Sequence, residues 1–180
     1  PKLLRVDLCG NNIQDVTGFG FFVAGHKCLT RISLARNRIP ASGVAAIFEG
    51  ALVNTRKGGQ LADIDIAWNS CHQDAMVAAE AIKAVFQESA SLYHCNLSYC
   101  GMDAKCCALI AEGLKDNHSL YGLHIVGNEA TMDADGFLTA QDPAEISGMV
   151  QEVDPRSPSL CFGGGLPGPQ QLIGSFEDHA

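Results

Sequence analysis

The sequence predicts an α/β solenoid, in which each coil gives one short strand to an inner layer and one helix to an outer layer. Two observations carry this reading. An eleven-residue pattern, apolar-x-x-apolar-x-apolar-x-x-Asn-x-apolar, recurs from Leu3 to Ile13, Leu29 to Ile39, Leu61 to Cys71, Leu92 to Met102 and Leu120 to Ala130. With the asparagine position as marker (Asn11, Asn37, Asn69, Cys100, Asn128) the steps are 26, 32, 31 and 28 residues, the spacing of coils that cannot bury their own apolar face and must stack.

Within each copy the alternation around apolar-x-apolar, as in Val6-Asp7-Leu8 or Ile32-Ser33-Leu34, has the period of a strand with one buried face. The asparagine that follows turns the chain, and its amide can serve backbone groups of the adjacent coil that water does not reach. Removing such a partner strands each group at about 1–3 kcal/mol. Cys100 takes the marker position in the fourth copy with only a weak S–H donor. The first copy starts at Leu3, and Leu3, Val6, Leu8 and Ile13 would form an end layer with no polar cap ahead of it. The sequence therefore reads as a piece of a longer array, with further repeats or domains in the full-length chain.

Asp15, Asp74, Asp103 and Asp133 stand where helices would start, each placed to accept from free N–H groups. Helices are expected from Ser42 to Val53, Asp74 to Gln87 and Asp103 to Lys115, whose apolar residues recur three and four apart. Thr17 to Phe22 is poor in helix formers and predicts a short or irregular helix. Asn54 to Gln60 reads as a polar, flexible loop. After Leu138 the pattern stops, which divides the chain into a repeat domain, 1–138, and a Pro/Gly-rich C-terminal tail, 139–180. The tail holds five of the seven prolines, and its Gly163 to Gly165 run lacks the Lys-Ser or Lys-Thr of a phosphate loop. Its apolar residues, among them Leu160, Phe162 and Leu166, are expected to cover the last layer of Leu123, Ile125 and Phe137.

Composition excludes several classes. The chain is 47% hydrophobic and 18% charged, with no apolar run near the length that crosses a bilayer and no signal-peptide pattern at its start. A net charge of −8, with 12 basic residues spread among 20 acidic ones, argues against nucleic acid. Eight cysteines raise a disulfide framework or a zinc site. Cys71, Cys95 and Cys100 fall on inward positions, Cys106 and Cys107 are adjacent on a helix, and no C-x-x-C occurs, so neither is expected. Reduced thiols imply a cytoplasmic or nuclear setting, cytoskeleton-associated proteins included.

The five copies resemble leucine-rich repeats of the ribonuclease-inhibitor type over residues 3–138. The resemblance implies a right-handed, curved solenoid with a parallel sheet on its concave face and helices on its convex face. Members mostly bind other proteins through the concave face, and a minority regulate GTPases or cap actin filaments. Repeat lengths of 26 to 32 and Cys100 in place of the marker Asn depart from the family pattern.

Read across the coils, the outward positions form columns: Arg5, Arg31, Asp63, His94, Gly122; then Asp7, Ser33, Asp65, Asn96, His124; and nearest the turn Gly10, Arg36, Trp68, Tyr99, Gly127. Trp, Tyr and Arg carry much of the energy at protein interfaces. The candidate partner-binding residues are accordingly Arg31, Arg36, Asp63, Asp65, Trp68, His94, Tyr99 and His124, with basic residues in the first two copies and acidic ones in the third. Asp63, Asp65, His94 and His124 could be drawn as an acid-base or metal cluster. A shallow open sheet, however, offers no pocket to exclude water or move a pKa. The sequence therefore favours a protein-interaction scaffold that is not an enzyme and carries no cofactor or metal. The alternative is a regulator such as a GTPase-activating subunit, for which Arg56 is the loop-borne arginine.

Overall fold

The computed structural model describes residues 2–115, 117–132 and 138–140. Five three-residue strands, β1 (Arg5–Asp7), β2 (Arg31–Ser33), β3 (Asp63–Asp65), β4 (His94–Asn96) and β5 (Gly122–His124), form one parallel sheet in sequence order. Four helices alternate with them: α1 (Thr17–Gly25), α2 (Ala41–Arg56), α3 (Ala75–Glu88) and α4 (Ala104–Leu114). The register pairs Arg5 with Arg31, Asp63, His94 and Gly122 in turn, and Asp7 with Ser33, Asp65, Asn96 and His124, so two columns read from the sequence stand as drawn.

Between sheet and helices the repeat positions stack into apolar rows. Leu29, Leu61, Leu92 and Leu120 form one row, Leu34, Ile66, Leu97 and Ile125 a second, and Ile39, Cys71, Met102 and Ala130 a third, all buried. Phe48 and Phe86 fill the space under the helices. Val6, Leu8 and Ile13 of the first coil are only partly buried, and Leu3 and Leu4 are exposed.

Three of the five marker residues bond across coils through their amides, whereas Asn11 bonds within its own turn and Cys100 has no amide. Asn37 Oδ1 accepts from the N–H groups of Asn11 and Ile13, and its amide donates to the carbonyls of Leu8 and Leu34 at 2.9 Å. Asn69 repeats this, accepting from Ile39 N–H and donating to Leu34 and Ile66. Asn128 does the same for Met102, Leu97 and Ile125. Cys100 cannot accept in that way: its Sγ donates to Ile66 O at 3.3 Å, and the orphaned Cys71 N–H turns to the Cys100 backbone carbonyl at 3.0 Å.

A second set of buried bonds closes the coils behind the helices. Asn54 donates to the carbonyls of Val23 and His26, Asn117 to that of Phe86, and the hydroxyls of Thr30, Ser91 and Ser119 to those of Leu4, Leu61 and Ser89. The expected loop over Asn54 to Gln60 is thus shorter than the sequence suggests. α2 runs on to Arg56 because Asn54 is fully buried and bonded to the preceding coil.

The aspartates divide in role. Asp103 caps α4 by accepting from Cys106 N–H at 2.8 Å. Asp15 accepts from Thr17 N–H ahead of the helix, and Asp74 adopts a left-handed conformation with no capping bond, so the expected cap is absent there. Asp133 lies outside the described residues. α1 is the shortest helix, nine residues, and its Gly20 lies so close to α2 that a Cβ there or at Gly50 would overlap the facing backbone. The glycines that depress its helix propensity are what let the first two helices approach.

In the fifth repeat Ala130–Met132 (β6) pairs antiparallel with Leu138–Ala140 (β7), which packs against α4. The boundary drawn at residue 138 therefore falls inside a strand. Coverage of the last layer by the tail concerns residues outside those described.

Asn69→Ala should lower stability by several kcal/mol in chemical denaturation, at about 1–3 kcal/mol for each buried group it strands. Asn11 is exposed and its side-chain amide donates to Cys9 O within the same turn, so Asn11→Ala, which keeps the backbone N–H, should stay within about 0.5 kcal/mol of the parent.

Candidate functional site

The concave face is built from the three columns, and the structure shows how differently they are used. In the column nearest the turn every residue has a left-handed backbone: Gly10 at φ 71°, Arg36 at 54°, Trp68 at 58°, Tyr99 at 54° and Gly127 at 75°. The turn geometry demands this of each coil, because Gly10, Arg36, Trp68 and Tyr99 donate their N–H groups to the next coil's Ala35, Ala67, Ser98 and Val126 carbonyls. For a residue with a Cβ the left-handed region costs about 1–2 kcal/mol. The first and fifth coils avoid that cost with glycine, whereas the middle three place Arg, Trp and Tyr there.

Trp68 and Tyr99 stack, with ring centroids 4.0 Å apart and planes 18° from parallel, while remaining 51% and 42% exposed. Tyr99 leans over Gly127, where a Cβ would overlap its ring. On the other side of Trp68 an open depression is lined by Arg36, Asn37 and Trp68. Arg36 is exposed and makes no ion pair among the described residues.

The first column is tied up internally. Arg31 Nε lies 3.4 Å from Asp63 Oδ2, His94 Nδ1 donates to Asp63 Oδ1 at 3.0 Å, and His94 Nε2 meets His124 Nε2 at 2.9 Å. The two imidazoles are nearly perpendicular, with centroids 4.9 Å apart. The chain Arg31–Asp63–His94–His124 thus crosses four strands.

The middle column is largely structural. Asp7, Asp65 and Asn96 each accept from the N–H two residues on, those of Cys9, Ala67 and Ser98. These side chains close the turn that leaves the strand. The pattern could have been found in the sequence, since Asp or Asn stands at the same step of three coils.

The expectation that an open sheet moves no pKa fails at two of its residues. Burial raises the Asp65 carboxyl above its ordinary value, partly opposed by the hydrogen bond from Ala67 N–H. Burial, together with the neighbouring His94, pushes the His124 ring down to about 4. Side chains leaning along the columns remove water that the bare sheet would admit. Below the sheet, Cys95 and Cys100 are held well above the usual thiol range, Cys95 by burial and Cys100 first by its bond with Cys71. Burial likewise raises Cys106 and Cys107 to about 12, so these four thiols stay protonated. No cluster of three or more metal-binding side chains occurs among the described residues.

No family model and no curated protein matches the chain. Among solved structures it is similar to leiomodin-1 actin-binding site 2, with a TM-score of 0.55 and 14% identity over 97% of this chain and 86% of that one. The chain is a leucine-rich-repeat solenoid. At that identity the likeness speaks for the fold alone.

On this leucine-rich-repeat face the candidate residues separate into two groups. Arg36, Trp68 and Tyr99 form one contiguous exposed patch. Arg31, Asp63, His94 and His124 are bound to one another, and Asp65 to its own turn. Arg56 lies elsewhere and is not on a loop. It ends α2 and forms a two-pronged ion pair with Glu88 of α3 at 2.8 and 2.6 Å.

The depressed His124 value gives a signed pH effect. An unfolded histidine takes its proton near 6.5, so between about 6.5 and 4 the unfolded chain binds more protons than the native one and stability falls as pH falls. Asp65, raised by burial, opposes this at the acidic end. Ring NMR should show His124 neutral at pH 5.5, and His124→Gln should flatten the loss of stability between pH 6.5 and 4.

Proposed function

We propose that this protein is a protein-interaction module of the ribonuclease-inhibitor-like leucine-rich-repeat type. It binds a partner protein on its concave face around Arg36, Trp68 and Tyr99. The supporting observation is that three bulky side chains occupy left-handed turn positions that glycine fills in the first and fifth coils. Such strain is kept where the side chain has a use. The stacked Trp68–Tyr99 pair offers a flat apolar platform, and Arg36 beside it offers a cation that no carboxylate in the described residues engages. Rigid aromatic area beside an arginine is the composition of an interface hot spot, and little side-chain entropy is lost when it binds.

The charge pattern of the partner differs from the simple acidic-then-basic order that the sequence suggests. Asp63 is already paired with Arg31 and His94, and Asp65 is bonded to its own turn. An acidic or hydrogen-bond-accepting group opposite Arg36, next to an apolar or aromatic one over Trp68, fits the face better. The solved structure of similar fold is named as an actin-binding site, which makes actin the first partner to test and a cytoskeletal setting the first to examine. The enzyme-regulating alternative has less support, because its arginine, Arg56, ends a helix and pairs with Glu88 instead of standing on a loop.

The decisive variant is Trp68→Gly with Tyr99→Gly, which removes the platform and relieves two left-handed side chains. Its stability should stay within about 1–2 kcal/mol of the parent, the lost stacking offsetting the relieved strain. Actin co-sedimentation and affinity capture from native cells should lose their partner with this variant and keep it when Met76 and Val77, exposed on α3, are changed to Glu. The opposite result would move the binding site to the convex side.

A further inference from the structure

Independently of partner binding, we propose that His94 and His124 form a two-ligand site for a divalent first-row transition cation of the Zn2+, Ni2+ or Cu2+ class. Asp63 is the positioning residue, and no described residue adds a third metal-binding side chain. The two Nε2 atoms face each other at 2.9 Å from adjacent strands. Tetrahedral coordination at about 2.0–2.1 Å from each nitrogen holds two ligand nitrogens about 3.3 Å apart, so the rings need to open by only a few tenths of an ångström.

The surroundings already have the arrangement that metal-binding histidines need. His94 Nδ1–H donates to Asp63 Oδ1 at 3.0 Å, and Arg31 fixes the far oxygen of that carboxylate at 3.4 Å. A carboxylate on the outer nitrogen of a ligand histidine sets its tautomer and orientation. With Asp63 holding a hydrogen on His94 Nδ1, at most one hydrogen lies between the two facing Nε2 atoms. A cation takes the place of that hydrogen, which moves to His124 Nδ1 or to solvent, and both rings bind the cation as neutral imidazoles. Gly122 supplies the room: it stands opposite His94 in the register, where a Cβ would come 2.7 Å from His94 Cδ2.

Paired imidazoles suit zinc, nickel and copper rather than magnesium or calcium. Among the described residues no further histidine, cysteine or carboxylate completes the set, so these residues supply a two-ligand site, weaker than a closed four-ligand one.

The test is titration of chelator-stripped protein with Zn2+ or Ni2+, followed by calorimetry and by the ring nitrogen resonances. One saturable site per chain is expected, with the Nε2 signals of His94 and His124 shifting together. His94→Gln and His124→Gln should abolish it, and Asp63→Asn should weaken it by about 10–100-fold. Gly122→Ala replaces neither a ligand nor the carboxylate, yet should also weaken binding, because its Cβ would crowd the His94 ring. Cys9→Ser and His72→Gln, which remove an exposed thiol and an exposed imidazole elsewhere, should leave the affinity unchanged. Absence of saturable binding, binding that survives both histidine variants, or binding lost with Cys9→Ser would overturn the site. If a histidine variant fails to fold by circular dichroism, the ring spectra of the parent and of Gly122→Ala decide the question.

Discussion

The inner face depends on a buried asparagine amide that one coil extends into the coil before it. Strands of three residues are too short to hold a sheet by themselves. The amides of Asn37, Asn69 and Asn128 each bridge the end of their own strand to the coil before, accepting from an N–H of that coil and donating to carbonyls of both coils. Every one of those backbone groups faces the core side of the turn, where an unmade bond costs more than a made one contributes. Cys100 shows how narrow the alternatives are. Without an oxygen on the side chain, Cys71 N–H reaches the Cys100 carbonyl instead, and the turn keeps its shape at the expense of one bridging acceptor.

What the amides do at the front, the helix ends do at the back. Asn54, Ser89 and Asn117 sit where α2, α3 and α4 return to the next strand, and their side chains serve the backbone of that turn or of the previous coil. Ion pairs from Arg56 to Glu88 and from Lys83 to Glu112 join successive helices at the surface. Such exposed pairs are worth little compared with the buried bonds. The coils are therefore clamped at two points, and the columns on the concave face inherit their register from both.

The period of the sequence made most of this legible. The recurring motif, which puts Leu29, Leu61, Leu92 and Leu120 at its first position, names the buried row, and other positions of the same motif name the outward columns. What did not show was whatever depends on neighbours in space. Asn54 looked like the start of a loop because it is polar, yet its amide is used by the coil before it, and α2 continues to Arg56. Asp74 looked like a cap, yet a left-handed backbone turns it away. Asp65 and His124 looked solvated, because in an isolated strand they would be; the leaning side chains of adjacent coils bury them. The glycine-for-side-chain alternation in the turn column, Gly10 and Gly127 against Arg36, Trp68 and Tyr99, was present in the sequence as a positional signal. Its meaning required the φ angles.

Those angles also set the turn column apart from the rest of the face. Formal charge would place recognition at Arg31, Asp63 and Asp65, but an ion pair already satisfied within the protein must be broken or desolvated before it gives anything to a ligand. Arg31, Asp63, His94 and His124 form a connected row, and the middle column closes its own turns. The turn column is different in kind. Its side chains carry a backbone penalty of about 1–2 kcal/mol each, and in return Trp68 and Tyr99 gain a stack worth about 0.5–1.5 kcal/mol and the burial of part of each ring, that of Tyr99 over Gly127. Glycine at these places would remove the backbone penalty, and with it the exposed aromatic and cationic surface. Function is therefore best sought where the solenoid keeps an exposed side chain on a left-handed backbone.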